Sequence, residues 1–346
     1  MKVSYLWRSG ALLLAAMLAI VPGASPVAAQ AAAEPASAAP VSAAPPAVQD
    51  AGQRQMPGDH AMSQEAKKVD IILPHISDSD ELDVPWFGPG WFKVVHLPHW
   101  APIMIGKYAL DISPTKHVVM MLFAAVLACI VLISAARAQG RHTARGEAPK
   151  GFSGTIEAMV LYIRNEVILP AVGPHGDGFV PYLLTVFFFI LFANLLGLIP
   201  YGSTATGNVS VTATLAIIAF FVIEVAGIRA LGKNYINTIF YWPHDMPVWG
   251  RFLMTLIMTP VEILGKFTKP FALTIRLFAN MTAGHVMVLA LVSIIFTFGS
   301  YLVGIFPLVM AVAIMGLELF VAFLQAYVFT LLVASFIGQI RTVEGH

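Results

Sequence analysis

Residues 270–285, PFALTIRLFANMTAGH, decide the fold because they place a full positive charge in a stretch that is otherwise almost wholly apolar. The charge is Arg276. An arginine at bilayer depth costs roughly 3 kcal/mol on insertion scales and about 10 kcal/mol or more in simulations, so it is kept where it meets an anion or water. The plainer alternative is an arginine at a helix end whose side chain reaches the membrane surface. The polar residues that follow bear on this choice.

The polar residues downstream of Arg276 fall at positions that fit an antiparallel helical hairpin. Glycines and a serine near position 301 indicate a turn, and residues equidistant from that turn lie level on the two helices. Arg276 is then level with Gln325, and His285 is level with Glu318. At 1.5 Å rise per residue, the two levels are about 13 Å apart on the first helix. This spacing favours a proton path over charges inserted at random.

The composition indicates a polytopic membrane protein. Of the 346 residues, 58% are hydrophobic and 11% are charged, and the mean hydropathy is +0.78, which is outside the range of ordinary soluble domains. The formal net charge is +1, and no basic run is long enough to indicate nucleic-acid binding. Cys129 is the single cysteine, so no intrachain disulfide can form.

The amino-terminal third changes composition twice. Residues 1–29 have two basic residues, a short apolar core and a small-residue ending, which is typical of a cleaved secretory signal peptide; a first membrane anchor is the alternative. Residues 30–62 are rich in Ala and Pro and predict a disordered linker. Residues 63–116 predict an exported segment in which short strands such as WFKVVHL alternate with turns. Their histidines match no strong zinc pattern, so we predict ordinary surface histidines and no metal site.

Residues 117–346 predict an all-α membrane domain of five transmembrane helices that ends in the long, tilted hairpin. The predicted spans are 117–136, 180–199, 209–230, 266–298 and 302–340. Residues 155–173 mix charged and apolar positions, which favours an interfacial amphipathic helix. Basic residues after the first span place that loop in the cytoplasm, so the amino terminus is exported and the carboxyl terminus is cytoplasmic. Pro260 and Pro270 are expected to bend the first hairpin helix.

Two runs of the hairpin, TIRLFANMTAGH and GLELFVAFLQAYVFTLL, resemble subunit a of the F-type ATP synthase, the stator half of its proton channel. The resemblance covers the last four predicted membrane segments. It implies that Arg276 faces the ion-carrying carboxylates of a rotating c-ring, with Asn280 and Gln325 as the family's nearby asparagine and its glutamine of the last helix. His285 and Glu318 match a pair of positions that some members fill as acid then histidine and others in this exchanged order. A buried structural ion pair is the alternative for these two residues.

Three further residues are candidates for the proton path. Glu262 precedes the arginine by about 21 Å of helix and matches an acidic residue of the family, which implies a role in the cytoplasmic exit. Asn194 is a candidate for lining the channel, close to Gly197, where some members carry an acid. Glu224 either lines the channel or pairs with a cation such as Arg229.

The resemblance implies a stator subunit that is not catalytic alone and that offers two offset half-channels to the c-ring for proton-driven ATP synthesis. It implies no cofactor, and it implies c-ring proteolipids, peripheral-stalk b subunits and lipid as partners in a bacterial inner membrane. A proton-coupled secondary transporter is the alternative, but such carriers usually have repeated halves, and this sequence shows no internal repeat. The run GIRALGKN lacks the serine or threonine that a P-loop needs after its lysine, so we expect no ATP hydrolysis by this chain itself.

Overall fold

The computed structural model describes a helical membrane domain and two small β-hairpins that precede it. The described residues are 81–85, 92–99, 103–105, 108–110, 113–144, 151–199, 204–238, 240, 247–298 and 301–342. The predicted signal peptide (1–29) and the predicted linker (30–62) lie outside these residues, as does the first part of the predicted exported segment.

Short strands precede the first helix, so the chain is all-helical only in its membrane part. Strand β1 (Glu81–Pro85) pairs antiparallel with β2 (Phe92–His96), and β3 (Ile103–Ile105) pairs antiparallel with β4 (Tyr108–Leu110). Strand β2 falls within the WFKVVHL stretch, where the sequence predicted a strand. Each hairpin is a separate two-stranded sheet, which is marginal in stability without further packing.

In the part of the chain that the structure describes, seven α-helices follow. They are α1 (Lys116–Ala144), α2 (Gly151–Tyr162), α3 (Leu169–Val172), α4 (Val180–Gly197), α5 (Val209–Leu231), α6 (Val248–Phe298) and α7 (Tyr301–Thr342). Within the described residues, five of them, α1 and α4 to α7, are long and apolar enough to cross a membrane. The predicted polytopic helical fold with five spans is therefore confirmed at this level.

The sequence located both ends of α4, α5 and α7 to within two residues, and the ends of α1 and α6 less well. Helices α4 and α5 match the predicted spans to within two residues, because polar or turn-forming residues flank both apolar runs. Helix α1 continues beyond position 136 to Ala144, because the alanines, arginines and glutamine that follow are strong helix formers. Helix α6 begins at Val248 rather than at 266 and continues through Pro260 and Pro270; the bends at these prolines stay a prediction.

The predicted amphipathic stretch, 155–173, is helical but interrupted. Helix α2 passes into a π-helical turn, Ile163–Ile168, and then into the short helix α3. The buried residues of the turn include Val167 and Ile168, which belong to the main core. The stretch therefore packs on the membrane domain, and its position at a membrane interface stays a prediction.

The core of the domain lies around α4, which is apolar on all sides and buried. Leu183, Phe188 and Ile190 of α4 are almost fully enclosed. The carboxyl-terminal half of α7 contributes Phe329 and Val333 to the same cluster. Helix α7 is thus anchored in the core by its second half.

The carboxyl-terminal end of α7 is fastened to the segment between α3 and α4. Arg341 donates hydrogen bonds to the carbonyl oxygens of Val172 (3.4 Å) and Pro174 (2.9 Å). A Cβ atom placed on Gly227 of α5 would lie 3.0 Å from Ile340 Cγ1, so the end of α5 also packs here. We refer to this end of the domain, which contains Val172, Gly227 and Arg341, as the Arg341 end.

Candidate functional site

Glu318 lies against the backbone of Gly284, the residue before His285. A Cβ atom placed on Gly284 would lie 2.8 Å from Glu318 Cδ and 2.9 Å from Glu318 Cγ, which is closer than real Cβ atoms come to other atoms. Glycine at this position therefore lets the carboxylate of α7 sit directly on α6. Gly284 and Glu318 are equidistant from position 301. Their contact therefore fits the antiparallel register that predicted His285 and Glu318 to be level.

Gln325 is hydrogen-bonded to a residue of α6 one helical turn from Arg276, with which the hairpin register predicted it to be level. Asn280 Nδ2 donates a hydrogen bond of 2.9 Å to Gln325 Oε1. Asn280 is one helical turn beyond Arg276, which was predicted to be level with Gln325; the long glutamine side chain spans this offset. Gln325 is 1% exposed, and its Nε2 has no hydrogen-bond partner among the described residues.

Arg276 and Glu262 lie on exposed parts of α6. Close to Arg276, Phe271 and Ile275 are also exposed, whereas Leu277 is fully buried against the rest of the domain. Within the described part of the chain, no hydrogen bond or ion pair to the guanidinium of Arg276 is found. The charge therefore faces outward from an apolar surface of this subunit.

Asn194 joins α4 to two other elements in the interior. It is fully buried; its Oδ1 accepts a hydrogen bond of 2.7 Å from the Thr206 hydroxyl, and its Nδ2 donates one of 3.4 Å to the Ala322 carbonyl. Ala322 lies on α7 between Glu318 and Gln325. The predicted channel-lining residue of α4 is thus adjacent to the polar positions of the hairpin.

Gly197 is covered by a threonine rather than open to a channel. A Cβ atom placed on Gly197 would lie 2.7 Å from both Thr204 Cβ and Thr204 Cγ2. Any side chain at position 197 would therefore have to displace Thr204. This packing explains why an acid does not fit at Gly197 in this chain.

Glu224 pairs with a cation, as one of the two alternatives predicted, but the cation is Lys266 of α6 and not Arg229. Lys266 Nζ lies 3.3 Å from both Glu224 carboxylate oxygens and donates a hydrogen bond of 2.7 Å to Tyr235 Oη. The Glu224 and Lys266 side chains are only 18% and 13% exposed. Arg229 is five residues farther along α5 and points away from Glu224, whereas α6 packs beside α5. Glu224 belongs to this ion pair near the Arg341 end, apart from the Asn194 and Gln325 group.

Sequence reasoning missed several residues that complete the site. These are Thr204, Thr206, Tyr235, Thr282 and Gly284. Threonine and glycine are common in membrane helices and turns, so the residue type alone did not mark these positions as part of a site. Their contacts depend on how α4, α6 and α7 pack. Among the described residues, no group of three or more His, Cys, Asp or Glu side chains could hold a metal ion.

Comparison with known proteins places most of the chain in one family. The family model of the ATP synthase A chain matches residues 118–338. The chain is 47% identical over 290 residues to ATP synthase subunit a 2 of Chlorobaculum tepidum, covering 83% of this chain and 77% of the relative. It is 44% identical over 281 residues to ATP synthase subunit a of Chloroherpeton thalassium, covering 81% and 79%. The chain therefore belongs to the ATP synthase A chain family and is a non-catalytic, multi-pass subunit of the membrane sector of an ATP synthase.

Proposed function

We propose that this subunit provides two offset half-channels that carry protons to and from a c-ring. The observation that carries the proposal is the outward-facing Arg276 on an apolar surface of α6, without an ion-pair partner among the described residues. Since an unpaired arginine is costly at membrane depth, the surface requires an anion or water from outside the chain. The carboxylates of a proteolipid ring fit this requirement.

Arg276 has two electrostatic tasks in this mechanism. Its charge favours the ionised form of an approaching carboxylate, so the carboxylate gives up its proton there. Because a guanidinium stays protonated in proteins, Arg276 does not relay the proton and closes the direct leak between the half-channels. A proton that crosses a potential of about 150 mV releases roughly 3.5 kcal/mol, and this energy turns the ring only if the leak is closed.

The exported half-channel is formed by the polar residues between α6 and α7. Glu318 sits on the backbone beside His285, and Asn280 is hydrogen-bonded to Gln325. A carboxylate and an imidazole are groups that accept and release protons during transfer. We infer that protons pass Glu318 and His285 and reach the ring at the level of Asn280.

The cytoplasmic half-channel is formed on the first part of α6. Glu262 is exposed and lies about 21 Å of helix from Arg276, toward the Arg341 end. We infer that the Arg341 end is cytoplasmic, because Arg137 and Arg141 at the carboxyl end of α1 follow the positive-inside rule. The amino terminus is then exported by a cleaved signal peptide, the membrane is a bacterial inner membrane, and peripheral-stalk b subunits hold the domain against the ring.

The test is the substitution Glu318→Gln, which removes the titratable group and keeps nearly the same shape. We expect gradient-driven ATP synthesis in inverted vesicles to fall about tenfold or more, because a positioned proton-transfer group contributes at least that much. The amount of assembled complex should stay unchanged. Glu166→Gln, an exposed carboxylate outside the hairpin, is the matched control. Normal synthesis with Glu318→Gln would mean that Glu318 is structural.

A further inference from the structure

The first part of α6, residues 248–272, is held weakly by apolar packing. None of its described side chains is buried, whereas Leu273 and Leu277, which follow it, belong to the main core. Glu262, which we assign to the cytoplasmic half-channel, lies in this exposed part. Because a segment with few buried apolar contacts is free to move, the position of Glu262 depends on the contacts that the exposed part makes beside it.

The polar contacts of this part centre on Lys266, which is four residues after Glu262 and therefore its neighbour on the helix surface. Lys266 Nζ lies 3.3 Å from both carboxylate oxygens of Glu224 on α5 and donates a hydrogen bond of 2.7 Å to Tyr235 Oη. The same nitrogen lies 4.4 Å from the centroid of the Tyr235 ring. The ion pair is largely enclosed, and attraction between charges is stronger away from water. Lys266 thus joins the exposed part of α6 to α5 and to the turn after it.

Tyr235 is itself fixed by packing. It lies in the 3-10 turn that follows α5, Gly232–Thr238, and the turn begins at Gly232 with a φ of 56°, a conformation that favours glycine. A Cβ atom placed on Gly227 would lie 2.8 Å from Tyr235 Cε2 and 2.6 Å from Ile340 Cδ1, so the ring packs against α5 where the end of α7 also packs. The hydroxyl that accepts the hydrogen bond from α6 is therefore held by the buried part of the subunit.

We propose that Lys266 and Tyr235 are positioning residues of the cytoplasmic half-channel, which hold Glu262 in place together with Glu224. The inference rests on the role proposed above for Glu262. Proton transfer requires a donor and an acceptor within hydrogen-bond reach, and a misplacement of about an ångström costs much of the effect of a positioned group. An enclosed ion pair stabilises a fold no better than apolar packing does, so a role in position accounts for these charges better than a role in stability.

The test measures passive proton flux per assembled complex, by dye quenching in vesicles stripped of the catalytic sector. We expect Glu262→Gln and Lys266→Met each to lower the flux about tenfold, as for the loss of a proton-transfer group. The two changes together should do no more than either alone, because both act on the same group. Tyr235→Phe, which keeps the ring and removes the hydroxyl, should lower the flux about threefold. Phe220→Ala is the matched control, because it removes the stacking on Phe267 between the same two helices and leaves the polar network intact; its flux should equal that of the parent.

A second comparison separates position from stability. In the double variant Glu224→Gln with Lys266→Met, no charge is left unpaired, so the fold should recover, but the attachment of α6 is still missing and the flux should stay low. The proposal is overturned if Lys266→Met conducts like the parent, if the double variant restores the flux, if Phe220→Ala lowers it as much as Lys266→Met does, or if the losses from Lys266→Met and Glu262→Gln multiply. In each case, a low flux with Glu262→Gln leaves the cytoplasmic half-channel standing without this network. A normal flux with Glu262→Gln would instead contradict the role of Glu262 and, with it, this inference.

Discussion

Helices α4 and α6 are both apolar, but α4 is mostly buried inside the subunit, whereas α6 is mostly exposed on its surface. In the apolar stretch of α4, 72% of the residues are buried inside the chain, against 6% in α6. Helix α4 therefore packs against its own subunit, whereas α6 presents large side chains such as Leu264, Phe267 and Phe271 to whatever surrounds the subunit. Lipid tails are as apolar as leucine, so the exposed side chains alone are compatible with lipid. The outward-facing Arg276 is the feature that supports the proposed ring partner.

Helix α7 combines both kinds of surface along its length. Its first half exposes Phe306, Val309 and Phe320, and its second half places Phe329 and Val333 in the core. Glu318 and Gln325 lie between these halves. The polar residues thus occur where α7 passes from the surface of the hairpin into the core of the subunit.

Truncation of a phenylalanine in each region separates packing from partner binding. Phe188 of α4 is 2% exposed and Phe271 of α6 is 67% exposed. We expect Phe188→Ala to lower the free energy of unfolding of the purified subunit in detergent by about 4 kcal/mol, because it leaves a cavity. Phe271→Ala should change it by less than about 0.5 kcal/mol and should instead reduce the amount of ring that copurifies. Equal destabilisation by the two changes would contradict the distinction between the regions.

The ion pair between α5 and α6 fixes the exposed helix to the buried part. We expect Lys266→Met to lower the free energy of unfolding by about 3 kcal/mol, because it leaves the Glu224 charge enclosed without its cation. The double variant Glu224→Gln with Lys266→Met should recover most of that loss, since neither charge is then left unpaired. The same unfolding measurement checks both, and no recovery in the double variant would mean that Lys266 acts through packing alone.

A substitution at the end of α4 should have a smaller effect on the free energy of unfolding. Gly197→Ala should cost about 2 kcal/mol, because the new methyl group overlaps the Thr204 side chain. Adding Thr204→Gly should relieve the overlap, and a double-mutant cycle would show strong coupling between the two positions. Additive losses would show that residues 197 and 204 are not in contact.

The number of spans and the bounds of α4 and α5 could be predicted from the sequence, because a continuous apolar run between polar turns has few alternative structures. The sequence was also sufficient for the positions of the polar residues on the hairpin, since Gly284 and Glu318 do meet. The start of α6 was missed, because the predicted span began at residue 266, whereas the helix begins at Val248 and continues through Pro260 and Pro270.

The partners of the polar residues could not be obtained from the sequence. Glu224 had a nearby arginine in its own helix, yet it pairs with Lys266, because the packing of α6 against α5 selects the cation. Gln325 was predicted to be level with Arg276, and its hydrogen-bond partner on α6 is Asn280, one helical turn away. In both cases the partner depends on how the helices pack and on the direction in which the long side chains extend, and residue spacing along one chain does not determine these.

In the proposed mechanism, Arg276 separates the two half-channels. Its most direct test is Arg276→Ala in vesicles that contain the whole complex, with ATP yield measured per proton translocated. Arg164→Ala is the control, because Arg164 pairs with Asp177 outside the hairpin at 3.5 Å. We expect Arg276→Ala to abolish coupled synthesis while protons still pass through the membrane sector stripped of its catalytic part, and Arg276→Lys to fail also, because a buried lysine can lose its proton. A normal ATP yield per proton with Arg276→Ala would contradict the account.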